Sequence, residues 1–309
     1  MENRMKLLVT GASGLLGINL ALEAMSAHEV VAVDRGKLAR APFQVVRADL
    51  LTDGAVESIL DKVRPEAVIH CAALADLEAC EANPSLARRL NADLPAQLAR
   101  ACNARGIRLA HISTDAVFDG QKHGYYTEDD EPNPLGAYAQ TKLEGEQAVG
   151  SEYPEAIVAR VNFYGWSLGG KRSLAEFFYN NLSYGRNVSG FTDVIFCPML
   201  VNDTARLLVK MLARGLSGLY HVVGPQAMSK YQFGVEVARK FGLDDGLITP
   251  KSVLESSLTA RRAPNLWLST NRLSTALGES LPRFSTGLDQ FYTQFQQGYP
   301  QKIRSYQQK

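Results

Sequence analysis

Lys6-Leu-Leu-Val-Thr10-Gly11-Ala-Ser13-Gly14-Leu15-Leu16-Gly17 decides how this chain folds. Lys6–Thr10 is a short, almost continuously apolar run, a helical pattern spans 15–26, and the glycines lie at the join. Gly11 permits a tight turn, Gly14 lets backbone approach a pyrophosphate, and Gly17 lets the helix pack closely on the sheet. The N–H groups and positive end of the helix would face such an anion. Gly11, Ser13, Gly14, Leu15, Leu16 and Gly17 therefore read as a dinucleotide cradle rather than a structural turn. The same glycines interrupt the apolar content of Met1 to Met25, which argues against a signal peptide.

Working outward, the pattern repeats. Apolar runs at 29–34, 43–47, 67–71, 108–113 and 155–161 alternate with helical patterns at 53–63, 85–104 and 135–150. Strands without polar alternation are buried on both faces, as parallel sheets require, so a doubly wound α/β sheet is expected. The second half offers helices at 174–184, 201–214 and 229–241, a strand at 218–223, a loop-rich stretch from Ser252 to Leu277, and a polar, Gln-rich helix or coil from Leu288. No linker divides the chain. The expected division is a dinucleotide-binding part over 1–162, rejoined by 196–223, with a smaller, discontinuous substrate-binding part from 163–195 and 224–309.

Composition sets the limits. The 309 residues carry 33 Lys+Arg against 32 Asp+Glu, a formal charge of +1, which argues against a general nucleic-acid binder. No stretch approaches the ~20 apolar residues of a membrane helix. The four cysteines (71, 80, 102, 197) form no CxxC pair, which fits a reducing, cytoplasmic setting and no metal site.

Chemistry gathers at the ends of the strands. Asp34 closes the second, placed to accept hydrogen bonds from adenosine ribose hydroxyls, and its charge favours NAD(H). Arg35 beside it could pair with a 2′-phosphate, as NADP(H) would need, or be a solvated loop residue. Asp49 and Leu50 follow the third strand, near the adenine, although Asp49 could equally cap a helix. Cys71, Ala72 and Ala73 offer small residues where a cofactor passes, and Ser113 lies beside them. Tyr138 and Lys142, four apart on one helix, point a phenol and an ammonium into one cleft, where the cation should lower the phenol pKa. Thr114 can polarise a substrate carbonyl beside them. Pro95 has no N–H for the carbonyl of Asn91, which either kinks the helix or leaves that carbonyl to hold a water leading to Lys142. His70, His111 and His221 read as core histidines, Glu128–Glu131 as a solvated loop, and the aromatics at 177–179 and 184 as core. No further acid/base pair is evident near Thr114.

With TGASGLLG (10–17), ISTDAVFDG (112–120), Tyr138xxxLys142 continuing to Glu146, GLYHVVG (218–224) and Arg262-Ala-Pro-Asn265, the chain resembles the extended short-chain dehydrogenase/reductase family, and within it the dTDP-4-dehydrorhamnose reductase group. The resemblance runs through nearly the whole chain. It implies a Rossmann-type fold and NAD(P)H-dependent reduction of the 4-keto group of a nucleotide-linked 6-deoxysugar. It also implies Thr114, Tyr138, Lys142 and Asn91 as catalytic residues, with Tyr138 and Lys142 contacting the cofactor. Thr114, Asn162 and Arg262 would contact the substrate, and a homodimer is a possible assembly. Epimerases and dehydratases share the fold, and the group includes a regulatory subunit of methionine adenosyltransferase. Asp193–Pro198, Leu74-Ala75 and the spacing before Asn162 depart from the group's pattern, all around the expected substrate pocket.

Overall fold

The computed structural model describes residues 4–256 and 261–307. Seven parallel strands form its central sheet. In chain order these are β1 (Lys6–Thr10), β2 (Glu29–Asp34), β3 (Gln44–Arg47), β4 (Ala67–His70), β5 (Arg108–Thr114), β6 (Ile157–Val161) and the strand Gly218–Val222. Their spatial order runs from Gly218–Val222 through β6, β5, β4, β1 and β2 to β3. The direction of winding reverses between β1 and β4, which opens a crevice beyond their carboxyl ends.

Apolar residues on both faces of each strand hold this sheet. Leu7, Val9, Ile69, Ala110 and Ile112 join one core, with helix α1 (Leu15–Ala24) and the helix Val201–Ala213 above them. Leu8, Val31, Val68, Leu109 and Val158 join the other, under α2 (Ala55–Val63). Two more helices contribute to the second side: α5 (Leu94–Asn103), reached from α3 (Leu77–Ala82) and α4 (Pro84–Arg88) through a widened turn, and α6 (Ala137–Glu152), which follows β5.

The expected helix 85–104 is interrupted in a particular way. Arg89–Asp93 forms a π turn, with the Leu94 N–H reaching back to the Arg89 carbonyl. Pro95 can give no N–H to Asn91, and the added residue in the turn absorbs the missing bond. The Asn91 carbonyl faces Gly145 of α6 so closely that a Cβ there would lie 2.1 Å from its oxygen.

Other expectations are sharpened or changed. The Gln-rich tail is two packed helices, Phe284–Gln296 and Tyr299–Ser305, with Phe291 stacked on buried Trp166 at 4.1 Å between ring centroids. Phe177 and Tyr184 are exposed, not core. Glu128 is not solvated: it is buried, accepts the His221 N–H at 3.0 Å, and lies 3.8 Å from Arg272. Those partners are remote in sequence, so nothing local signalled them. His70, His111 and His221 are buried as expected. Among the described residues no helix is long and apolar enough to cross a membrane.

Candidate active site

The glycine loop sits at the carboxyl end of β1, and its three glycines are required by space. Gly11 has φ +64°, and a Cβ there would lie 2.6 Å from the Ala72 nitrogen. At Gly17 a Cβ would meet the Gly11 oxygen at 2.3 Å, and at Gly14 it would press the same oxygen at 3.0 Å. Gly14 opens α1 with no side-chain cap and no acidic residue in the first turn. The first N–H groups are thus left for an anion, the arrangement that a dinucleotide pyrophosphate needs. The backbone of Leu15 and Leu16 belongs to this turn, while their side chains are buried in the core. Thr10 ties the β1 end to β4, its Oγ1 2.7 Å from His70 Nδ1 and accepting the Ala72 N–H at 3.3 Å. This places Cys71, Ala72 and Ala73 beside the loop.

Asp34 stands at the end of β2, where its Oδ1 accepts N–H groups from Gly36 (2.8 Å), Lys37 (2.5 Å) and Leu38 (3.3 Å). Burial would raise its pKa, but these bonds and one from the Ser13 hydroxyl outweigh it and hold the carboxyl below its ordinary range. One oxygen of Asp34 is therefore engaged by its own turn. Arg35 and Lys37 are exposed beside it, and the Arg47 side chain lies against Gly36. Asp49 is exposed and accepts the Leu51 N–H at 3.0 Å, a local turn bond, whereas Leu50 is buried in the core. The Ser113 hydroxyl is committed to the interior, where it donates to Glu146 of α6 at 2.5 Å. Glu146 also accepts Nε and NH2 of buried Arg160, so Ser113 braces the interior.

Thr114, Tyr138 and Asn162 line one cleft of about 200 Å³, with Leu77, Val194, Phe196 and Leu266 as apolar walls. The Thr114 hydroxyl stands beside the Tyr138 phenol and acts to lower its pKa. Gly136 offers α6 no side-chain cap, and Glu81 of α3 supplies one across space by accepting the Ala137 N–H at 2.8 Å. The helix end that carries Tyr138 is thereby fixed to the loop after β4.

Lys142 lies one turn further along α6, buried, with Nζ donating to the Ile112 carbonyl at 2.6 Å. Burial lowers its pKa to about 8, against the opposing charges of Glu146 and Cys71. The expected lowering of the Tyr138 pKa is not found in this state. Burial pushes the phenol up to about 12, the charges of Asp115 and Cys80 act in the same direction, and the Thr114 bond opposes them. Lys142 is engaged with the β5 backbone instead. Asn91 is fully buried, its amide bonded to both the N–H (2.9 Å) and carbonyl (3.0 Å) of Leu74 and to Thr141 Oγ1 (3.1 Å). It clamps the loop after β4 to α6.

Sequence reading missed three members of the cleft. Asp115 follows Thr114 directly, is buried, and accepts from Asn162 Nδ2 at 2.5 Å. Burial raises its pKa to about 6, partly offset by Asn162, Thr114 and Lys230. An acid/base group thus does stand beside Thr114, and its place in the ISTD stretch was the available signal. Lys230, first residue of the helix Lys230–Lys240, and Arg261 join Arg262 on the opposite wall. Arg262 lies 3.6 Å from Glu78 of α3.

Comparison with known proteins fits this geometry. Residues 5–297 match the family model described as RmlD substrate binding domain. A protein of Haloferax volcanii named a probable low-salt glycan biosynthesis reductase is 32% identical over 89% of this chain and 93% of its own length. The dTDP-4-dehydrorhamnose reductase of Mycobacterium tuberculosis is 34% identical over 88% of this chain and 87% of its own. The methionine adenosyltransferase 2 subunit beta of Bos taurus is 32% identical, over 90% and 84% respectively. Among solved structures, dTDP-4-dehydrorhamnose reductase of Bacillus anthracis in complex with NADP superposes with a TM-score of 0.85 at 25% identity, over 94% of this chain and all of that one. The chain belongs to the RmlD substrate binding domain family of extended short-chain dehydrogenases/reductases, and is an NAD(P)-dependent oxidoreductase of that type.

Proposed function

We propose that this protein reduces the 4-keto group of a nucleotide-linked 6-deoxysugar, using NAD(H) in preference to NADP(H). The observation that carries this reading is that Thr114 and Tyr138 line one cleft, with Lys142 one helical turn behind. The loop Gly11–Gly17 and Asp34 would hold the dinucleotide, with Arg35 and Lys37 available to a 2′-phosphate. A bound dihydronicotinamide supplies a hydride. Tyr138, held protonated by its buried setting, gives its proton to the carbonyl oxygen, and Thr114 polarises that oxygen. Lys142 leaves the Ile112 carbonyl to hold the nicotinamide ribose and, as a cation near the phenol, lowers its pKa in the complex. Asn91 anchors the proton relay behind Lys142. Asn162 orients the sugar, while Arg262, with Lys230 and Arg261, meets the diphosphate. Two catalytically competent partners of the same fold, epimerases and dehydratases, would suit the buried Asp115, but they return the cofactor unchanged.

The test combines binding and turnover. NADH and NADPH should each raise the melting temperature, because a ligand of the native state stabilises it. Incubation with nucleotide-linked 4-ketosugars should consume reduced cofactor stoichiometrically. Tyr138→Phe should bind the dinucleotide as before and lose turnover by ~10²–10⁴-fold. Retained turnover in Tyr138→Phe, or turnover without net cofactor oxidation, would overturn the reading.

A further inference from the structure

The single hydrogen of the Thr114 hydroxyl has two claimants. Oγ1 lies 3.2 Å from Asp115 Oδ1, to which it donates, while the Tyr138 phenol, whose pKa the same hydroxyl acts to lower, lines the cleft beside it. The Ala116 N–H donates into the same oxygen at 3.2 Å. A hydroxyl has one hydrogen to give, and a charged acceptor makes a bond roughly twice as strong as a neutral one. While Asp115 is a carboxylate, the Thr114 hydrogen is therefore held by Oδ1 and is not free for a substrate carbonyl. The other oxygen, Oδ2, accepts from Asn162 Nδ2 at 2.5 Å, so a proton arriving on Asp115 settles on Oδ1, facing Thr114. That proton reverses the bond: Asp115 donates to Oγ1, and the Thr114 hydrogen is released towards a carbonyl in the cleft.

We propose that Asp115 is a positioning residue whose protonation decides whether Thr114 can polarise the substrate carbonyl. The proposal rests on the reductase reading and adds a pH-dependent control within that site. Asp115 is enclosed from several sides. Tyr138 faces it from α6, Lys230 from the start of its helix with Arg262 behind, and Cys197 from the segment after the strand Ile195–Phe196. Glu81 and Arg261 line the same cleft. Burial outweighs the bonds from Asn162 and Thr114 and the charge of Lys230, which places the carboxyl near 6, where modest changes of pH change its state.

The experiment measures kcat/KM for ketosugar reduction between pH 5 and pH 9 in the unmodified protein, Asp115→Asn and Thr114→Val. Removing one polarising donor costs about 10²–10³-fold, so the unmodified protein should lose at least tenfold as pH rises through the Asp115 titration. In Asp115→Asn the amide oxygen accepts from Asn162 and the amide N–H donates to Thr114, so the limb should flatten and the value at pH 8 should exceed that of the unmodified protein. Thr114→Val should be flat at a low level. Infrared difference spectra of the protein alone should show a protonated carboxyl stretch that titrates with the limb and is absent from Asp115→Asn. A limb that persists in either variant overturns the proposal. So does a loss of 10²-fold or more at every pH in Asp115→Asn with dinucleotide binding intact, which would make Asp115 itself the proton donor. Absence of turnover in the unmodified protein overturns the reductase reading and this proposal with it, whereas turnover with an unmoved limb overturns this proposal alone.

Discussion

At the scale of single residues, the site stores an electrostatic cost in Lys142. The side chain is buried and its pKa is lowered from 10.5 to about 8, so the folded protein disfavours the charged form. Between those two values the unfolded chain binds more protons than the folded one, and stability rises with pH across that window. Below pH 8 the full penalty applies, about 3 kcal/mol at 1.36 kcal/mol per pKa unit. Lys142→Met keeps the stem and removes the charge. Glu146 would not be stranded, because Arg160 and Ser113 still bond it. The variant should melt several degrees higher at pH 7 by calorimetry, with the gain vanishing towards pH 10.5, and should have lost turnover. A lower melting temperature at pH 7 would show that the bond to Ile112 outweighs the buried charge. Lys142 and Tyr138 were legible in the sequence because a four-residue spacing on a helix is local. Asp115 was visible but not interpretable, since its role depends on Asn162, which another strand end delivers.

At the scale of elements, α6 is held at both turns that matter. Glu81 secures its first turn, and Gly145 accepts the Asn91 carbonyl of the π turn against its backbone. Gly145→Ala would place a methyl 2.1 Å from that oxygen. Backbone on both sides leaves little room to yield, and overpacking of this kind costs about 1–3 kcal/mol, against up to ~1 gained in helix propensity. The variant should unfold at lower denaturant and show reduced kcat, with dinucleotide affinity changed less, because α6 must shift away from the π turn. An unaltered kcat would separate this contact from the chemistry. The alternation of strands and helices was readable because each strand is apolar over its own length. The π turn was only half readable: Pro95 announced a broken bond, while the direction of the freed carbonyl was fixed by Gly145, far along the chain. The tail was legible only as helix or coil, for a related reason. Its glutamines dominate the composition, yet the few aromatics on one face decide the packing.

At the scale of the whole molecule, an aromatic core built from the second half of the chain packs against Ala12 of the glycine loop, Ile18 of α1 and Ala32 of β2. Trp166 stacks on Phe291 and donates its Nε1–H to the Phe291 carbonyl at 3.2 Å, and Phe196 of the cleft wall belongs to the same cluster. Phe291→Ala should cost about 3–5 kcal/mol, lowering the melting temperature by roughly ten degrees at ~2–4 °C per kcal/mol. Below the transition, KM for the sugar substrate should rise more than dinucleotide affinity falls, because Phe196 of the cleft wall stands in this core, whereas the glycine loop enters it through Ala12 and is held by the sheet core through Leu15 and Leu16. Equal loss of both would show the two cores to be one cooperative unit. The near-neutral total of +1 conceals a local asymmetry, with Lys230, Arg261 and Arg262 gathered on one wall of the cleft.

The strand Gly218–Val222 pairs with β6, from which the whole segment 162–217 separates it in the chain. During synthesis, β6 therefore remains an uncovered sheet edge for several seconds at ~5–20 residues per second. An open apolar edge is a template for association between nascent chains. The late return of this strand makes the interval between the synthesis of β6 and that of Gly218–Val222 the period in which the nascent sheet is most open to association.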